Sequence, residues 1–152
     1  MAESSANAEV REVAAADTAR TYAVFCVLRK GRPVMATAES FTDWVNHRQR
    51  PEGYRVVGAF LPGEPDVMAA AGFRILHQLS KERFLYVDDL VTLTSHRSSG
   101  YAGMIFDWLV DEARRQHCEQ LHLDSGHQRF DAHRFYLKRG MILNAHHFSM
   151  NV

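Results

Sequence analysis

Residues 84–115 read FLYVDDLVTLTSHRSSGYAGMIFDWLVDEARR, and this stretch decides the fold. Its first ten residues, Phe84 to Leu93, are apolar on both faces apart from Asp88 and Asp89, the pattern of a strand buried in a sheet. From Ala102 onward, Ile105, Phe106, Leu109, Val110 and Ala113 make one continuous apolar stripe along a helix, with Asp107, Asp111, Arg114 and Arg115 off it. Leu121–Ser125 is a further short strand. Strand, crossover helix and strand between residues 84 and 125 predict a right-handed parallel or near-parallel unit. The fold class is α/β, with a mixed sheet.

The rest of the chain extends this unit on both sides. Val10 to Ala16 reads as a first strand, and Asp17-Thr18 as a cap for a helix running through Leu28. Gly31-Arg32-Pro33 is a turn. A second helix, Ser40 to Arg50, is stopped by Pro51 and Gly53. Tyr54–Leu61 and Asp66–Leu79 read as a hairpin around Pro62-Gly63-Glu64-Pro65. Downstream, Asp131–Arg139 is a short helix ended by Gly140, and Met141–Asn151 supplies one or two closing strands. Residues 1–8 show no periodicity and are expected to be disordered, leaving 9–152 as a single domain.

Composition narrows the class. At 152 residues the chain suits one domain, and eighteen basic residues balance eighteen acidic ones. No global field steers it toward nucleic acid or anionic membrane, so any anionic ligand must be bound locally. No apolar run approaches the ~18 residues that span a bilayer, and the polar, acidic start lacks the form of a signal peptide. Only Cys26 and Cys118 are present, too few for a disulfide framework, and a cytoplasmic setting is expected.

The loop Ser95-His96-Arg97-Ser98-Ser99-Gly100-Tyr101-Ala102-Gly103 joins the strong strand to the strong helix. The first N–H groups of a helix have no intrahelical partners, and its dipole favours negative charge at that end. Small residues at Ser98, Ser99, Gly100 and Ala102 admit an anion to the backbone, and Arg97 adds positive charge at the rim. A pyrophosphate meets this demand, although a glycine-containing turn before a helix is also an ordinary connection. Neither a Walker loop nor the G-x-G-x-x-G dinucleotide fingerprint is present.

Arg97-x-x-Gly100-x-Ala102 resembles the acyl-CoA signature of the GNAT superfamily of N-acyltransferases, Gln/Arg-x-x-Gly-x-Gly/Ala. About thirty residues later, Ala132-His133-Arg134-Phe135-Tyr136-Leu137-Lys138-Arg139-Gly140-Met141 is similar to that superfamily's second signature, Ala-x-x-Phe-Tyr-x-x-x-Gly-Phe. The resemblance covers residues 54–152 well and the first fifty by pattern only. One departure is Arg129, where the family often carries Asn.

The resemblance implies a central mixed, mostly antiparallel sheet that splays between its fourth and fifth strands and is flanked by about four helices. It implies acetyl-CoA as co-substrate, with its pyrophosphate on residues 97–103 and its pantetheine arm on the backbone of Leu90, Val91 and Thr92. The reaction is transfer of acetyl to a primary amine of a small molecule. A free alkyl amine has a pKa near ~10.4, so a proton must be removed before attack. By the same resemblance Tyr136 is the acid that protonates the departing thiolate; on spacing alone it would be an aromatic packed beside Phe135. Leu85–Leu90 resembles the corresponding strand of polyamine acetyltransferases, which carries a Glu-Asp pair. On that match Asp88 is the candidate base and Asp89 a group that draws in a cationic acceptor. Adjacent strand residues face opposite sides, so only one can line a given cleft without a bulge; the alternative pairs one aspartate with Arg83 or Arg97.

Nine histidines invite a metal reading, but no helical i, i+4 pair or Cys-x-x-Cys accompanies them, and no metal is expected. His133 is a candidate acceptor contact, with a structural hydrogen bond to Asp124 or Ser125 as the favoured alternative. His122 is expected to lie on the sheet face opposite Leu121 and Leu123. Asp124-Ser125-Gly126 reads as a strand-ending turn, with Ser125 a candidate acceptor contact. In the family, the region of Met35, Phe41 and Trp44 covers the acceptor site, and a core stripe explains Phe41 and Trp44 equally well. Many relatives dimerise through their sheets, so a homodimer is a further expectation, without an interface signal here. The competing class is a catalytically silent acyl-CoA-binding module.

Overall fold

The computed structural model describes residues 7–152, so most of the stretch expected to be disordered, residues 1–6, lies outside the described residues. Five strands run in chain order across one sheet: β1 (Glu9–Glu12), β2 (Arg55–Phe60), β3 (Ala69–Gln78), β4 (Glu82–Thr92) and β5 (Gln120–Leu123). The first four pair antiparallel, and β5 lies parallel to β4. Four α-helices accompany them: α1 (Tyr22–Arg29), α2 (Ala38–Trp44), α3 (Tyr101–Arg115) and α4 (Phe130–Lys138). The expected hairpin is β2–β3, and the expected strand–helix–strand unit is β4–α3–β5. The chain groups into two compact units, one ending at His122 and one running from Leu123 to Val152.

In the larger unit the sheet is covered on both faces. Tyr54 and Val56 pack with Val24 and Phe25 of α1 and Phe41 of α2 in a single apolar cluster. The intervening Arg55 points the other way, as alternation in a strand requires. Its guanidinium lies over Phe73, whose ring meets Trp108 of α3 edge-on at 5.7 Å. Helices α1 and α2 therefore cover one face and α3 the other. Met35 and Phe41 belong to the core, whereas Trp44 is 42% exposed.

Helix α3 buries Tyr101, Ile105, Phe106, Leu109 and Ala113, together with one charged residue, Glu112. The stripe is rotated slightly from the expected one, since Ala102 and Val110 are only half-buried. Glu112 accepts hydrogen bonds from Arg55 (2.7 Å), Arg115 (2.9 Å) and Gln116 (3.0 Å). Burial opposes its ionisation, but these bonds outweigh burial and hold its pKa below the ordinary value. Removing one partner of a buried ion pair strands the other charges. Glu112→Ala is expected to cost about 2 to 3 kcal/mol, because Arg55 and Arg115 can still reach water, and to lower Tm by about 5–10 °C in a thermal melt. The sign follows from linkage. With the folded pKa depressed, the contribution is complete above the unfolded value near ~4.3 and fades as pH falls through the folded one.

Within the larger unit the structure corrects the expected elements in three places. The first strand ends at Glu12, and Ala15–Thr21 forms a 3₁₀ stretch leading into α1. Thr18 does not cap a helix; it is buried and donates to Asn46 Oδ1 at 2.7 Å. The second helix is composite. Thr37 and Ser40 form a capping box for α2, a wider π-helical turn follows at Val45–Gln49, and a 3₁₀ turn at Arg50–Glu52 ends on left-handed Gly53.

In the smaller unit, Gly140 closes α4 with φ +85°, and Met141 N–H donates to the Tyr136 carbonyl at 3.1 Å. The closing strands expected over Met141–Asn151 do not form. Ile142, Leu143, Phe148 and Met150 are each more than three-quarters exposed. Strand-like alternation is not enough without a neighbouring strand to take the backbone N–H and C=O groups.

Candidate active site

The loop after β4 has the backbone of an anion cradle. A 3₁₀ turn at Thr94–His96 leads to extended Arg97, then Ser98 takes φ +63° and Gly100 φ +87°. These two left-handed residues turn the chain sharply into α3, which has no side-chain N-cap. Met104 N–H makes the first helical bond, to the Gly100 carbonyl at 3.1 Å. The amides of Tyr101, Ala102 and Gly103 are therefore the helix's donors without intrahelical partners. The Tyr101 ring is buried, 1% exposed, and packs edge-on to His96 of the same loop. Ser99 is half-buried, while Arg97 and Ser98 are exposed. Successive main-chain N–H groups in such a turn suit the oxygens of a diphosphate.

Strand β4 supplies the second feature. Glu119, just before β5, donates its N–H to the Arg83 carbonyl at 2.9 Å. Four residues of a parallel strand starting there reach about as far as Val87. Leu90, Val91 and Thr92 pair with Ala71, Ala70 and Ala69 on β3, and their other edge lies past the end of β5.

Between these regions β4 carries a bulge. Gly72 opposes Asp89 and Phe73 opposes Val87, so Asp88 is an extra residue. The bulge brings the two aspartates into one polar cluster. Asp89 accepts from Arg29 Nε at 2.7 Å on one carboxylate oxygen and from the Tyr54 hydroxyl at 2.9 Å on the other. Arg29 Nη2 also donates to the Asp88 carbonyl oxygen at 3.1 Å. Asp88 Oδ2 accepts from Arg74 Nε at 2.9 Å, while its Oδ1 is buried with no hydrogen-bond partner among the described residues. Burial lifts the Asp88 pKa above the ordinary range, against the lowering effect of Arg74.

The partners of the aspartates are therefore Arg29 and Arg74, and neither Arg83 nor Arg97. Arg83 instead donates to the Gln116 carbonyl at 2.6 Å. Asp89, expected to draw in a cationic acceptor, has both oxygens engaged within the protein. Arg29, Tyr54 and Arg74 were not singled out in the sequence. The one available signal was Gly72, a lone glycine inside a strand, which marks a close approach of another group.

In the smaller unit, Tyr136 lies on α4 with its ring 5.6 Å from that of Phe135. Burial raises its pKa, and the charge of Arg129 partly opposes the rise. His133 Nε2 bonds the Gly126 carbonyl oxygen at 2.8 Å, one residue beyond the partners expected for it. A carbonyl only accepts, so that ring nitrogen carries the proton. The Ser125 hydroxyl is buried without a partner among the described residues, and Asp124 lies 3.5 Å from His147. His122 meets the Phe84 ring edge-on at 5.3 Å. Among the described residues no group of three His, Cys, Asp or Glu is placed to hold a metal ion. Nor is any described helix long and apolar enough to cross a membrane.

A mixed sheet whose bulged fourth strand runs through a left-handed loop into an uncapped helix is the framework of an acyltransferase, and the chain belongs to the acetyltransferase (GNAT) family, whose model matches residues 17–141. In Bacillus subtilis (strain 168), the protein described as uncharacterized N-acetyltransferase YhdJ is 41% identical over 71 residues, 46% of this chain and 50% of that protein. The chain thus spans about half the length of this curated relative. A putative acetyltransferase from Agrobacterium tumefaciens str. C58 superposes with a TM-score of 0.80 at 20% identity, over 95% of this chain and 99% of that one. AAC(6')-Iy in complex with the bisubstrate analog CoA-S-monomethyl-acetylneamine superposes at 0.78 with 12% identity, over 95% and 97%. At such identities these two structures speak for the fold alone.

Proposed function

We propose that this chain transfers acetyl from acetyl-CoA to a primary amine of a small molecule, in the cytoplasm, by direct attack. The observation that carries the reading is the uncapped start of α3 behind left-handed Ser98 and Gly100, a cradle whose donors fit a diphosphate. The free edge of Leu90, Val91 and Thr92 fits the amides of pantetheine, which can pair with a strand as another strand would. Acetyl-CoA supplies the activated acetyl group as a thioester. Asp88 takes the proton of the incoming amine, directly or through water, at its unpartnered Oδ1. Tyr136 gives a proton to the departing sulfur. Ser125, with its unpartnered hydroxyl, and His133 contact the acceptor. Cys26 and Cys118 are both free thiols, as suits a reducing compartment.

Calorimetric titration with CoA and thiol release from acetyl-CoA over a panel of amines test this reading together. Binding with turnover on at least one amine supports it. Tight CoA binding with no turnover on any amine returns the silent acyl-CoA-binding module. Gly100→Val forces a β-branched residue into the left-handed region, a strain of about 1–3 kcal/mol. It is expected to weaken CoA binding by about tenfold or more, and unaltered affinity would remove the loop from the cofactor site.

A further inference from the structure

Tyr54 stands just before β2, follows left-handed Gly53 and is 3% exposed. Its ring crosses β3 at Gly72, where an added Cβ would fall 1.7 Å from the hydroxyl oxygen and 2.1 Å from Cζ. No other residue leaves this passage open. Through it the hydroxyl reaches Asp89 Oδ2, while Arg29, from the last turn of α1, holds Oδ1 and the Asp88 carbonyl. Arg74 holds the Asp88 carboxylate, and its guanidinium lies over the Tyr54 ring at 5.3 Å. The phenol thus bonds Asp89 and underlies Arg74, the two residues through which Arg29 and the Asp88 carboxylate join the cluster.

A bulge is a register choice, and sliding by one residue turns every side chain beyond it to the other face. Packing alone would be served by phenylalanine. A buried hydroxyl reaching through a gap in one strand to a carboxylate on the next does something more specific.

We propose that Tyr54 is a positioning residue, fixing Asp89 so that the bulge presents Asp88 and the Leu90–Thr92 edge in one register. The proposal rests on reading β4 as the strand where acetyl transfer occurs. It assigns Asp89 an internal role as the anchor between Tyr54 and Arg29, in place of contact with the acceptor.

The test compares Tyr54→Phe, Asp89→Asn and the double variant. Tyr54→Phe keeps the ring and is expected to fold, with kcat lowered about tenfold or more and the KM for acetyl-CoA within about twofold, since small misplacement of a reacting group falls on the chemical step. If Tyr54 works through Asp89, the double variant is no slower than Asp89→Asn, within about twofold. A Tyr54→Phe enzyme with unchanged kcat, or losses that multiply in the double variant, would overturn the proposal. Amide hydrogen exchange of β4 supplies a readout independent of turnover. Faster exchange around Asp89 in Tyr54→Phe supports the anchor even if no amine is acetylated, and unchanged exchange refutes it. Absence of turnover in the unaltered protein would fault the enzymatic reading instead.

Discussion

Replacing Tyr136 with phenylalanine is expected to lower kcat about 10²–10³-fold while leaving the affinity for CoA unchanged within about twofold. A phenol carries its proton at neutral pH, and burial holds Tyr136 further in that form against the opposing charge of Arg129, so a proton is available for the thiolate. Phenylalanine keeps the ring contact with Phe135 and the rest of α4, which separates the loss of a proton donor from loss of packing. A donor thioester built on a more acidic thiol provides an independent check. Such a thiolate leaves without needing a proton, so the deficit of the variant should shrink with it. A variant within about threefold of the unaltered enzyme, or one with the same deficit for both thioesters, would return Tyr136 to packing.

The second large effect is expected at Asp88→Asn, with kcat/KM falling about 10²-fold or more near neutral pH. Asp88 is more burdened by burial than it is relieved by Arg74, with Asp89 adding to the rise and Arg29 opposing it, so its pKa stands above the ordinary carboxylate range. A base works in its deprotonated form. Activity of the unaltered enzyme should therefore decline as pH drops through that raised value, and this acidic limb should disappear in the asparagine variant. An unchanged limb with near-normal turnover would sink the assignment. Asparagine still accepts from Arg74, so the bulge itself is expected to survive.

Much of this architecture was legible because local and tertiary demands agree. Between Phe84 and Arg115 a largely apolar strand, a small-residue loop and a striped helix follow one another as expected, although the strand is half-buried at several positions and the helix stripe is slightly rotated. The sharp turn into α3 was legible from spacing because it is built from consecutive residues, with left-handed Ser98 and Gly100 just before the helix. The cluster around the aspartates is different. Arg29 lies 60 residues before Asp89, Tyr54 lies 35 before it, and Arg74 is 14 before Asp88, so no local pattern joins them. The mixed turns from Val45 to Glu52 read as plain helix because their spacing differs from α-helical spacing by less than a residue per turn. Glu112 was invisible for the opposite reason: a charge on an apolar stripe looks like a break until its arginines are seen.

Tyr54 and Gly72 amount to one steric fact written at two positions. A relative carrying alanine at 72 has no room for a phenol at 54, and any shorter residue there gives up the donor to the aspartate. Across an alignment of close relatives an aromatic residue at 54 should therefore be accompanied by glycine at 72, and wherever that glycine is lost the carboxylate at 89 keeps only its arginine partner.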